Sequence, residues 1–164
     1  MSRRRFDLCL AAGAAALVLL PLGACEEEAP VPVLEPGGGI TRDGGSVRIG
    51  ATVAELEAEL GALGPTHDLG AAGRHFAYDD AHVAGLMSGE GTSGQVSTLY
   101  IAAAAGGRTP DGLGFGSSRE EVEAVHGDPE RDGFFGAWMY PEAGIGFEWE
   151  DDHVVRVVIF AASP

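Results

Sequence analysis

The chain has 164 residues, a formal net charge of −15 from 10 Lys+Arg against 25 Asp+Glu, and two cysteines. That length holds one ordinary domain or two very small ones. So acidic a balance excludes electrostatic binding of nucleic acid or of an anionic headgroup surface.

The N-terminus reads as an export signal. Arg3, Arg4 and Arg5 precede an apolar run, Leu8 to Leu20. At about 13 residues the run is short for a bilayer-crossing helix, which needs roughly 20. A charged start, a short apolar stretch and small residues before a cleavage point are the layout of a secretory signal. The last four residues, Leu22-Gly23-Ala24-Cys25, resemble the bacterial lipoprotein signal. The resemblance implies cleavage between Ala24 and Cys25 and lipidation of Cys25, with more than one acyl chain for stable attachment. Ser2-Arg3-Arg4-Arg5-Phe6 is also similar to the twin-arginine export motif, although Asp7 and Leu8 depart from what usually follows. General secretion and the twin-arginine route both stay open. With Cys9 in the signal and Cys25 lipidated, the body would hold no disulfide, no catalytic thiol and no thiolate metal site.

Residues 25–45, the lipidated Cys and the run EEEAPVPVLEPGGGITRDGG, are dense in Pro and Gly and lack apolar periodicity. Such a segment buries too little surface to offset its ordering entropy, so a disordered tether with a reach of roughly 25 Å is expected. Glu26-Glu27-Glu28 is a solvated, membrane-repelled run rather than a metal clamp. Glu26 is not the Asp that, by resemblance to enteric lipoproteins, retains the protein at the inner membrane, so the outer membrane is favoured.

Two stretches then align without a gap, Ile49-GATVAELEAELG and Phe115-GSSREEVEAVHG. Each has a hydroxyl three residues before a Glu, Thr52 with Glu55 and Ser118 with Glu121. That spacing predicts a capping box. Each ends on a glycine, Gly61 and Gly127, which tolerates a positive φ past a helix end. Val53, Leu56, Leu60 and Leu63 form an apolar stripe on the first helix, Val122 and Val125 a thinner one on the second. Helices this short need a surface to pack on. Alternation predicts strands at His75–Asp80, Val83–Met87 and Gln95–Ala102 after the first, and at Phe134–Tyr140, Gly144–Glu150 and Val154–Phe160 after the second. Val47/Ile49 and Leu113/Phe115 add a short strand ahead of each helix.

The final hairpin is registered by matching its apolar sets. Phe147 should face Val157, Trp149 should face Val155, and Glu148 should pair with Arg156 on the other side. The turn is then Asp151-Asp152-His153, with His153 in the left-handed position.

The pattern Gly-Phe-Gly-Ser-Ser-x-x-Glu-Val-x-x-x-x-Gly-x-Pro, followed by Tyr140, Gly144-Ile145-x-Phe147 and a Val/Ile-rich strand, resembles β-lactamase-inhibitor-protein-like domains. It is equally similar to small outer-membrane assembly lipoproteins of the SmpA/OmlA type. The match covers Asp111–Phe160 well and Val47–Ile101 loosely. It implies a protein that binds other proteins and has no active site. It names no partner.

No catalytic set, cofactor motif or metal site stands out. His67, His75, His82, His126 and His153 lack the spacing of a zinc site. Asp80 and His82 fit a solvated turn better than a metal pair. Asp128-x-Glu130-x-Asp132-Gly133 imitates a calcium loop but has Met139 where a bidentate Glu is needed. Ser88, Ser93 and Ser97 lie outside any G-x-S-x-G motif. Gly112, Gly114 and Gly116 open no dinucleotide fold. The aromatic residues are more informative. Trp138 and Tyr140, with Phe134, are candidate partner-binding residues if the Pro141–Ala143 loop places them over Gly144 and Gly146 on the open side of the sheet. With an even loop they face the core instead.

The expectation is therefore an α+β chain of two repeated units, each a short helix on a roughly three-stranded antiparallel sheet. Residues 1–24 are signal, 25–45 tether, 46–105 the first unit and 109–162 the second. The protein should be lipid-anchored at the cell envelope through Cys25, with the outer membrane facing the periplasm favoured and the cell surface as alternative. It should bind another envelope protein without catalysis. The alternatives are a hydrolase or metal-dependent enzyme using Asp79, Asp80, Glu148 and Glu150, or a structural spacer. Glu148 and Glu150 share a strand face at roughly 7 Å.

Overall fold

The computed structural model describes residues 31–43, 45–89, 94–131 and 136–164. The signal, its Ala24–Cys25 junction and Phe134 lie outside the described residues. The described residues are α+β, with two α-helices and two antiparallel sheets.

A small sheet comes first, made of β1 (Val33–Glu35), β2 (Gly39–Arg42) and β3 (Gly45–Arg48) in that order. From Val33 on, then, the expected tether is folded. Leu34 and Ile40 are 0% and 1% exposed, and Val47 joins them in the core. Three apolar residues spread through a Pro/Gly background suffice because each one is fully buried. The Pro36–Gly38 turn brings β1 back on β2, and a Cβ at Gly39 would collide with the Val47 carbonyl. Backbone bonds Leu34 N–H to Arg108 O and Arg108 N–H to Pro32 O tie this segment to the middle of the chain.

Helix α1 (Val53–Leu60) starts at Thr52 and α2 (Arg119–His126) at Ser118. Both carry the expected capping box. Thr52 Oγ1 accepts from the Glu55 N–H at 3.3 Å, and a Glu55 carboxylate oxygen accepts from the Thr52 N–H at 2.8 Å. Ser118 and Glu121 repeat the pair at 3.3 and 2.8 Å. Both helices end on glycines of positive φ, Gly61 at 88° and Gly127 at 78°. Val53 and Leu56 are buried in the first helix and Val122 in the second. Val125 is 47% exposed and so does not extend the second stripe as expected.

The strands after the two helices do not form two separate sheets. They join into one sheet of eight, in the order β4-β5-β6-β7-β11-β10-β9-β8. These are β4 (His67–Asp68), β5 (Arg74–Tyr78), β6 (Val83–Ser88), β7 (Gln95–Ala102), β8 (Glu130–Arg131), β9 (Trp138–Tyr140), β10 (Ile145–Glu150) and β11 (His153–Phe160). The join is β7 on β11, with Leu99 opposite Ile159 and Ile101 opposite Val157. All four side chains are fully buried. Neither half could cover these residues alone, which is the physical reason the sheet is continuous. No strand forms at Leu113/Phe115, although Gly114 makes an isolated bridge to Arg108.

One face of the large sheet carries Phe76, Val83, Met87, Leu99, Ile101, Ile145, Phe147, Val157 and Ile159. They form one cluster with Val53 and Leu56 of α1, Val122 of α2 and Leu34, Ile40 and Val47 of the small sheet. Burying each Leu, Ile or Phe there stabilises by roughly 1.5–3 kcal/mol. The helices and the small sheet thus cover one face of the eight strands.

The candidate functional site is the uncovered sheet face

Because side chains alternate along a strand, the residues between the core positions point to the other face. The pairing register fixes their rows. Ala77 lies opposite Ala84, Ala84 opposite Tyr100, Tyr100 opposite Val158, Val158 opposite Gly146 and Gly146 opposite Met139. A neighbouring row runs His67, His75, Leu86, Thr98, Phe160. The middle of this uncovered face is therefore apolar. Val158, at the centre of these rows, is 4% exposed.

Small side chains at Ala77, Ala84 and Ala102 hollow the face into a groove of about 1120 Å³. Leu69, Leu86 and Tyr100 supply its larger apolar surfaces, and His75, His82, Asp79 and Arg156 its polar ones. His82 sits in left-handed conformation (φ 53°, ψ 33°) after the Asp79–Ala81 turn, which places it beside the β6 start. Arg156 is held by Glu148 across the hairpin at 2.6 Å, so its charge is matched within the face. The pair is the one expected from the hairpin register.

The other sequence candidates fall elsewhere. Tyr140 faces Ile145 and Trp138 faces Phe147, so the loop is even and both rings lie on the core side. Tyr140 is 5% exposed. Trp138 is half-buried against Trp149, with ring centroids 5.5 Å apart, and the Arg119 guanidinium lies 5.3 Å from its ring. Neither is an exposed aromatic over glycine. Met139 takes that place, with its sulfur against Gly146. Of the four carboxylates considered for catalysis, only Asp79 lines the groove. Glu148 is tied to Arg156, and Glu150 stands exposed opposite His153. They do not converge on one concave site. Among the described residues, no group of three or more His, Cys, Asp or Glu side chains is placed to hold a metal ion. No helix there is long and apolar enough to cross a membrane.

The groove was not anticipated. Its signal was present as apolar residues on the wrong alternation, Leu86, Tyr100 and Val158, which a half-buried strand would make polar. Comparisons of the chain with protein-family models, with curated proteins and with solved structures found no match.

Proposed function

We propose that the chain is a lipid-anchored cell-envelope lipoprotein whose folded body is a non-enzymatic protein-binding module, and that the partner docks on the uncovered sheet face. The observation that carries the docking surface is the apolar groove floored by Ala77, Ala84, Leu86 and Tyr100. Apolar surface left open at the centre of a sheet, with charged groups at its edge, is what a protein interface requires. The anchor rests on Arg3–Arg5, the Leu8–Leu20 run and the Leu22–Cys25 signal, with the outer membrane facing the periplasm as the favoured site.

The same proposal includes a duplicated architecture akin to β-lactamase-inhibitor-protein-like domains and small outer-membrane assembly lipoproteins. Two observations support it. The caps of α1 and α2 are alike in residue spacing and in backbone angles, with N-cap φ/ψ of −76°/164° and −79°/164°. Each helix is followed by four strands, and the two sets mirror each other about the β7–β11 pair.

The occupant we assign is a protein segment of aliphatic or aromatic side chains flanked by Arg or Lys. Charge complementarity argues for it. The chain carries −15, so a second copy is repelled,. Asp79 at the groove and Glu130 at the far end of the Met139 row add negative charge to this face, whereas Arg156 is already matched. The test is capture of envelope proteins by wild type, by Ala84→Arg and by Val125→Arg, which adds the same charge on the helix side. A partner lost with Ala84→Arg, kept with Val125→Arg and weakened by salt is the expected result. A partner lost equally with both, or kept with both, overturns the assignment of the groove. So does self-association in its place.

A further inference from the structure

The groove on the uncovered face has two unlike ends. Ala102 marks the first. Its N–H donates to the His82 carbonyl at 3.0 Å, and it stands opposite Arg156 on β11. The His82 N–H donates in turn to the Asp79 carbonyl at 3.1 Å. Asp79, His82 and Arg156 therefore gather at this end. Four residues back along β7, roughly 14 Å at the usual strand rise, Thr98 stands opposite Leu86. The Leu69–Gly73 turn lies against Met87, the next residue of β6. Leu69, Ala72 and Leu86 thus line the far end, with His75 as its polar group. Ala84 and Tyr100 lie between the two ends.

The N-terminal segment leads to the Ala102 end. The Arg108 N–H donates to the Pro32 carbonyl at 3.0 Å, and the Leu34 N–H donates to the Arg108 carbonyl at 2.8 Å. Val33 and Arg108 form a parallel bridge. Followed backwards from Val33, the chain therefore runs toward Gly106, the Ala103–Ala105 turn and Ala102 behind it. A Cβ on Gly106 would lie 3.8 Å from the Pro32 ring. Four residues separate Gly106 from Ala102, at most about 15 Å. Val31, the first described residue, is 57% exposed. Cys25 stands six positions before it, and six extended residues span about 20 Å. A group carried on Cys25 reaches the groove with chain to spare.

We propose that, away from a bilayer, an acyl chain on Cys25 lies in this groove, its polar attachment at the His82 and Arg156 end and its methylenes along Ala84, Tyr100 and Leu86. This rests on the lipidation of Cys25 and names an occupant that competes with the partner for the same face. Methylenes left in water are unfavourable, and the groove offers them an apolar floor. Its volume of about 1120 Å³ exceeds the roughly 300–1,000 Å³ of pockets that bury a drug-sized ligand. Attachment through Cys25 makes capture intramolecular, at an effective concentration on the order of millimolar, so an open groove suffices. A bilayer offers the same chain a deeper apolar phase. Insertion then empties the groove and opens it to the partner.

The test is methyl NMR on the full lipidated protein with ¹³C-labelled alanine, purified in deuterated detergent and moved to detergent-free buffer. Mass spectrometry first reads the acyl groups on Cys25. Cross-relaxation between acyl methylenes and the Ala84 and Ala102 methyls is expected. It should vanish in phosphatidylcholine nanodiscs while both methyl signals stay visible. Ala84→Arg should lose the contact at Ala102, and Val125→Arg should keep it. Capture of an envelope protein by the lipidated chain should rise severalfold on moving it into nanodiscs. An unacylated Cys25 would overturn the anchor reading and this inference together. An acylated Cys25 with no contact at either methyl would overturn this inference alone. So would equal contacts in a mixture of labelled Cys25→Ser chain and unlabelled lipidated chain, because they would come from a second copy. Contacts kept in the wild type while Ala84→Arg still captures the partner would support the acyl site and overturn only protein docking in the groove.

Discussion

Trp149 stands opposite Val154 across the β10–β11 hairpin, one residue out of step with Phe147 opposite Val157. The bulge lies between Glu148 and Trp149 and leaves Val155 as the extra residue on β11. It closes the hairpin on two residues, Asp151 and Asp152, with φ of 48° and 69°. Two residues of positive φ make the tight hairpin turn whose twist matches the strands. Asp152 in turn reaches Arg119 of α2 at 3.3 Å, beneath which lie Trp138 and Trp149.

The turn therefore depends on residues that accept a left-handed backbone. Asp151→Val should destabilise by about 1–2 kcal/mol, the cost of a left-handed L-residue, which β-branching worsens. Asp151→Gly, with no Cβ, should stay within about 0.5 kcal/mol of wild type. Urea midpoints of both variants check this. Equal loss in both would mean that the Asp151 side chain, not the backbone, matters.

Gly85 is opposite Phe76, and an added Cβ would meet both the Phe76 ring, at 2.5 Å, and the Thr98 carbonyl. Phe76 is fully buried and has nowhere to retreat. Gly85→Ala should cost about 2 kcal/mol by overpacking. Phe76→Leu in the same chain should recover part of that loss, because the two sites share one space and their effects are not additive. Thermal midpoints of the single and double variants measure the coupling. Additive losses would show that the clash is with the strand backbone instead.

His126 gives the pH dependence. Burial holds it below the usual 6.5, so the unfolded chain takes up a proton that the folded one refuses. Stability is fully present above pH 6.5 and falls as the pH drops from there toward the lowered folded value, below which this contribution is lost. His126→Gln should flatten that part of the stability curve. Urea unfolding from pH 7.5 to 5 is the measurement. An unchanged slope in the variant would assign the loss to other groups.

Much of this was legible from the chain. Thr52 and Ser118, each three residues before a Glu, start the helices because capping is local chemistry and needs only the spacing. Phe147–Val157 and Glu148–Arg156 were placed because alternation fixes a register. The bulge was not, since a single extra residue shifts nothing in the pattern of apolar positions. Leu34 and Ile40 were lost in a Pro/Gly background whose composition argues for disorder. Their burial depends on a partner at Arg108, far along the chain. The groove was missed for a related reason. Tyr100 and Val158 become neighbours only when β7 and β11 meet, and no local signal says that the strands form one sheet.

The proposed duplication makes a quantitative demand on the two caps. Thr52 and Ser118 accept the N3 backbone N–H at the same 3.3 Å, and each Glu returns a 2.8 Å bond to its cap. Removing a Ser or Thr N-cap typically costs about 1 kcal/mol. Thr52→Ala and Ser118→Ala should each lose that much, and by similar amounts. The caps share no partner, so the double variant should lose the sum, about 2 kcal/mol. Both helices bury their first turns in one core, through Val53 and Val122, so unfolding should stay a single transition in all three variants. Urea midpoints and slopes decide it. Loss at one cap and none at the other would mean that only one helix is held by its box, and that the likeness between the two stretches is not a duplicated design. A second transition in the double variant would mean that the halves of the eight-stranded sheet fold separately, against the buried join of Leu99 with Ile159 and Ile101 with Val157.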